Sequence, residues 1–155
     1  MYRTIVVPLD GSKLAECVLS HVENLAKGCQ VENISLVRVV EPISPMVMGE
    51  YGGLTSKQIE RIESELTSEA ETYLQQRAQE IKYNGVKTAW KVLYGRVAET
   101  LAEHATQTGT DLIVISTHGR SGVSRWVWGS VADRVLRSSC VPVLMVRAPG
   151  CFPGV

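Results

Sequence analysis

The apolar positions of this chain follow two rhythms that alternate from one end to the other. Arg3 to Asp10, RTIVVPLD, is a short β-branched run that stops at an Asp-Gly turn signal. The next segment places Leu14, Cys17, Val18, Val22, Leu25 and Ala26 on one helical face, with Ser12 as N-cap and Gly28 as the stop. Asn33 to Val40, NISLVRVV, returns to strand composition. The following stretch, EPISPMVMGEYGGLT, carries two prolines and three glycines and reads as a long loop. Thr55 to Gln58 matches a capping box, and Ile59, Ile62, Leu66, Tyr73, Leu74, Ala78 and Ile81 then share a face up to Asn84-Gly85. Val86 to Leu93 predicts a third strand closed by Gly95. Val97 to Gln107 predicts a helix with Val97, Leu101 and Ala105 turned inward. Asp111 to Thr117 predicts a fourth strand, Ser130 to Ser138 a last helix and Val141 to Val146 a fifth strand.

Strict β-α alternation implies parallel strands, right-handed crossovers and helices on both faces of the sheet. The runs DLIVIS and IVVPL are almost wholly apolar, as strands covered on both faces must be. No internal repeat, linker or second domain is visible, and 155 residues suffice for one well-cored domain. The segment 148–155, APGCFPGV, is expected to be a loose tail.

Composition narrows the partners. Lys plus Arg and Asp plus Glu each number 16, so the formal net charge is zero and the basic excess of a general nucleic-acid binder is missing. No run of about 18 apolar residues predicts a membrane span, and the N-terminus shows no secretory pattern. The cysteines, Cys17, Cys29, Cys140 and Cys151, lack C-x-x-C spacing and are read as reduced thiols of a cytoplasmic protein, with Cys17 and Cys140 in the core.

Candidate chemistry concentrates between the fourth strand and the last helix, in STHGRSGVSRWVWGS, Ser116 to Ser130. In an open parallel sheet, ligands bind beyond the carboxyl ends of the strands where the strand order reverses. With the first strand central, Asp10-Gly11 and Ser116 to Gly119 would meet at that crevice. A helix beginning near Gly129-Ser130 offers unpaired N–H groups and partial positive charge, which suits a phosphate. Gly119 and Gly129 permit close approach, and Ser130 supplies a hydroxyl. Two readings stay open here: a phosphate cradle, or a glycine-bearing connecting loop. Neither a P-loop nor a G-x-G-x-x-G fingerprint is present. Asp10 reads either as a ligand to ribose or Mg²⁺ or as a turn and capping residue. His118 lacks a paired base or nucleophile. Arg120 and Arg125 read as phosphate ligands or as solvated loop residues, Trp126 and Trp128 as loop anchors, and Met46 and Met48 as a cover for the crevice or as disorder.

The sequence resembles the universal stress protein family over essentially its whole length, 1–147. The resemblance is carried by IVVPLDGS, LVRVVEP and STHGRSGVSRWVWGSVADRVLRSSCVPVLMVR. ATP-binding members carry a glycine, two residues, a second glycine, nine residues, then glycine and serine or threonine. Gly119, Gly129 and Ser130 fit that pattern, whereas Ser116 stands where the first glycine would be. The resemblance implies a Rossmann-like, adenine nucleotide alpha hydrolase-like sheet with strand order 3-2-1-4-5. It implies an ATP site drawn from Pro8, Leu9, Asp10, Val39, Ile115, Ser116, His118, Gly119, Arg120, Gly129, Ser130 and Val131, with Mg²⁺ at Asp10 and Val39 holding adenine through its backbone. It further implies a homodimer joined along the last strand through Val141, Val143, Leu144, Met145 and Val146. Three functions follow as alternatives: a nucleotide-binding regulatory protein with little or no hydrolysis, a dimerising interaction protein whose motif has lost its nucleotide, or a slow ATPase or adenylyl-transfer enzyme. The last would call for an H-x-G-H or S-G-G-x-D-S signature, and the first strand ends in PLDGS instead.

Overall fold

The computed structural model describes residues 2–43, 55–83, 85–117 and 130–147. Its strands are β1 (Thr4–Pro8), β2 (Asn33–Val40), β3 (Lys87–Tyr94), β4 (Leu112–Ser116) and β5 (Val143–Val146). All the pairings are parallel, in the order β3-β2-β1-β4-β5. The helices are α1 (Lys13–Glu16), α2 (Leu19–Gly28), α3 (Ser56–Glu80), α4 (Val97–Gln107) and α5 (Ser130–Ser138). The expected alternation and strand order are thus observed.

Alternate strand residues build two cores. Ile5, Val7, Ile34, Leu36, Leu112 and Val114 face α1–α3 and pack with Val18, Val22 and Leu74. Val6, Val37, Ile113 and Ile115 face the other way, against Leu101 and Ala105 of α4 and Ala132 and Val135 of α5. Burial on both faces explains the unbroken apolar runs of β1 and β4.

Several boundaries differ from the periodicity. The first helical run divides at Cys17, where N–H groups of Cys17 and Val18 reach back only three residues, to Leu14 and Ala15. The Ser20 hydroxyl donates to the Cys17 carbonyl, a local bond that competes with a continuous helix. The expected capping box forms between Thr55 and Gln58, but α3 ends at Glu80, because Ile81 is already extended. β5 starts two residues late: the Ser139 hydroxyl ties the N–H and C=O of Val141 into a turn, and Pro142 has no N–H to offer. Cys17 is half-buried, and Cys140 is exposed rather than core, because it lies in that turn.

His104 of α4 is buried, and burial first, then the Lys91 ammonium, hold its pKa below the usual value. The unfolded chain therefore binds more protons than the folded one between that lowered value and the ordinary one near 6.5. Stability from this group is fully present above about pH 6.5 and is lost as pH falls through the window below it. Urea midpoints at pH 7.5 and pH 5.5 should fall further in the parent protein than in His104→Gln. Equal falls would count against this assignment.

Candidate functional site

The switch point lies between β1 and β4, and the bridging between them is short. Bridge partners run Ile5↔Leu112 and Val6↔Ile113 and go no further, although β1 continues to Pro8 and β4 to Ser116. The Leu9 N–H donates to the Val37 carbonyl at 2.8 Å, so Leu9 and, by alternation, Val7 and Ile5 turn their backbone groups toward β2. Val6 and Pro8 then face β4, and Pro8 has no N–H with which to extend that ladder. The hydrogen-bond ladder between the two strands therefore has a notch, an unbridged stretch at the carboxyl edge of the sheet.

Near this ladder end, backbone groups of both flanking strands face β1. Val37 already directs its carbonyl to the β1 side, so Val39 directs its own backbone the same way, past the last residue of β1. The Val40 carbonyl accepts instead from Gly95 N–H on the β3 side, as alternation requires. On β4, the N–H groups of Ile113 and Thr117 donate to Pro142 and Val146 on β5. Ser116 consequently turns its backbone toward β1. Ser116 and Thr117 are both buried. By alternation with Leu112 and Val114, the Ser116 side chain lies on the sheet face that packs α1.

Beyond β1 the chain makes a tight turn. Asp10 Oδ1 accepts from Ser12 N–H at 2.9 Å, and Ser12 Oγ accepts from Ala15 N–H at 3.1 Å. Of the two structural roles considered for Asp10, it therefore forms the turn, while Ser12 is the N-cap. Gly11 between them has φ +86°, a left-handed conformation that favours glycine.

The sequence reading missed two residues here. Glu41, just past β2, accepts from Val97 N–H at 3.4 Å and so supplies the end of α4, where Arg96 makes no side-chain cap. Arg38 is buried under the Asp10–Gly11 turn. A lone arginine in the apolar run SLVRVV was the available signal for the second; the first has no local signature.

The structure brings Pro8, Leu9, Asp10, Val39, Ile115 and Ser116 to the carboxyl edge of the sheet, with Leu9 and Ile115 buried. Ser130 is the first residue of α5 and Val131 follows, packed partly against the α4–α5 core. His118, Gly119, Arg120, Arg125, Trp126, Trp128, Gly129, Met46, Met48 and the tail 148–155 lie outside the described residues. Among the described residues no cluster of three or more His, Cys, Asp or Glu is placed to hold a metal ion. Asp10 alone is one carboxylate, which fits Mg²⁺ only where nucleotide phosphates complete the shell. No described helix is long and apolar enough to cross a membrane.

This fold, with a notch at its switch point, has relatives. A sequence model described as the Universal stress protein family matches residues 1–147. Universal stress protein MJ0531 of Methanocaldococcus jannaschii is 33% identical over 150 residues, covering 96% of this chain and 84% of the relative. The solved structure of MJ0577 superposes with a TM-score of 0.82 at 26% identity, covering 97% of this chain and 99% of that one. Two more distant structures share the fold. A universal stress protein in complex with cAMP has a TM-score of 0.68 at 21% identity, covering 95% and 98% of the two chains. An Arabidopsis thaliana family protein with AMP bound has a TM-score of 0.63 at 12% identity, covering 96% and 93%. The chain belongs to the universal stress protein family.

Proposed function

We propose that the protein is a cytoplasmic, ATP-binding regulator of the stress response that hydrolyses its nucleotide little or not at all and works as a homodimer. The observation that carries this reading is the β1–β4 switch point, where Pro8 ends the ladder and the backbones of Val39 and Ser116 face β1 from its two sides. Adenine sits against Val39, whose backbone groups read the base edge. Pro8, Leu9 and Ile115 line the base of the crevice. Asp10 meets the ribose or Mg²⁺, and the phosphates lie against His118, Gly119, Arg120, Gly129, Ser130 and Val131, where the start of α5 stabilises negative charge. Mg²⁺ when bound would neutralise phosphate charge. The cAMP and AMP complexes of distant family members support an adenine nucleotide as the ligand class. The domain proposed to carry this activity spans 1–147, with 148–155 as its tail.

Ser116 is the departure from the ATP-binding pattern. By alternation its side chain lies on the α1 face while its backbone faces β1, so the serine side chain and backbone are directed differently, which supports retained nucleotide binding. Native mass spectrometry of protein purified without added ligand tests the reading. Adenine nucleotide near one per chain is the expected result. A bare chain that also fails to take up added ATP would favour the alternative, a dimerising interaction protein without nucleotide.

The dimer is proposed along β5, an edge strand. Leu144 is 37% exposed there, Val141, Val143 and Met145 are half-buried, and Val146 is in the core. An open apolar edge invites pairing with its own copy, and a two-fold contact places the same residues on both sides. Leu144→Lys should shift the protein toward monomer in sedimentation velocity. A parent protein that is already monomeric at micromolar concentration would rule the interface out.

A further inference from the structure

We propose that Arg38 is a positioning residue that holds the Asp10–Gly11 turn for nucleotide binding and fastens that turn to α3; this rests on the nucleotide reading above. Arg38 shares its sheet face with Ile34 and Leu36, and its side chain is only 9% exposed. A buried guanidinium is costly unless it is paired. Its ion pair with Glu69 of α3, 3.3 Å long, reaches a side chain that is 59% exposed, so that pair alone is a weak reason for burial. The guanidinium also lies over the Tyr73 ring, 5.8 Å from its centroid.

Among the described residues, the turn is a further neighbour. A Cβ built on Gly11 would lie 3.2 Å from Arg38 Nη1 and 3.5 Å from its guanidinium carbon. The guanidinium thus lies directly beside the turn, and glycine both adopts the φ of +86° and leaves the space. Gly11 joins Asp10 to Ser12, and these two are bonded to each other at 2.9 Å. Any displacement of Arg38 reaches the Asp10 carboxylate through one residue.

The far side of the support is equally fixed. Tyr73 donates its hydroxyl to Glu16 Oε1 at 2.9 Å, and its ring is also flanked by Arg77 at 5.9 Å. Burial, then the bond to Glu16, raise the Tyr73 pKa, so the hydroxyl stays a donor. Glu16 belongs to α1, the helix that Ser12 caps. The strand, the turn and α3 meet at one guanidinium, and Tyr73 links α3 onward to α1.

Calorimetric titration with ATP and Mg²⁺ of the parent, Arg38→Gln, Asp10→Asn and the double variant tests this. Arg38→Gln should weaken binding by about tenfold, a size typical of coupled neighbours. The double variant should bind about as well as the weaker single variant, since both changes remove one function. Arg38→Lys, which keeps the charge but not the planar fork, should recover part of the loss. If Arg38→Gln does not fold, Glu69→Gln replaces it, with a smaller loss and the same lack of additivity. Independent, multiplicative losses would overturn the proposal, as would an Asp10→Asn variant that binds like the parent. So would a lowered melting temperature with unchanged affinity. A parent that binds no nucleotide would overturn the nucleotide reading itself, and this proposal with it.

Discussion

Gly129→Val is expected to abolish ATP binding while leaving the protein folded. Gly129 directly precedes Ser130, where α5 begins. The first turn of a helix has N–H groups without intrahelical partners, and an anion seated there needs close approach to the backbone. Valine puts a β-branched side chain next to those groups. Among the described side chains of α5, Ala132 and Val135 are the buried ones, so the helix keeps the contacts that anchor it to the α4 core. Circular dichroism should be unchanged and titration heats should vanish. Retained binding with parent-like affinity would remove the start of α5 from the site.

Ile113→Ala is expected to give the largest loss of stability. Ile113 is fully buried on β4, partnered to Val6 on one side and Val143 on the other, and packed with Leu101 and Val135. Truncating a buried isoleucine to alanine costs about 2–5 kcal/mol, from lost transfer energy and from the cavity left behind. Each kcal/mol lowers the melting temperature of a domain of this size by about 2–4 °C. Chemical denaturation should show the lower midpoint with an unchanged slope. A loss under about 1 kcal/mol would mean that β4 is not packed on both faces.

Much of the fold was legible because it is carried by repetition. Two-face burial writes itself as LIVI and IVV, amphipathic helices as spaced apolar residues, and strict alternation fixes parallel strands. The capping box of α3 was equally readable, since both partners lie within four residues. What escaped depends on single side chains competing with the backbone. Ser20 and Ser139 each capture a backbone carbonyl, and so break the first helix and shorten β5. The crevice was placed by topology, yet where the β1–β4 ladder ends depends on which neighbour Pro8 faces, and that follows only from the register. Arg38 was passed over because one charge in an apolar run looks like a surface position until the helix above it is known.

The central claim is that this chain binds an adenine nucleotide at the β1–β4 notch. Calorimetry on the parent protein, Gly129→Val and Ser116→Gly with ATP and Mg²⁺ tests it most directly. Saturable binding near one nucleotide per chain is expected for the parent, none for Gly129→Val, and equal or tighter binding for Ser116→Gly, which restores the family pattern. No heat for the parent with binding gained in Ser116→Gly would mean that the serine has closed the site. No binding in any of the three would contradict the account.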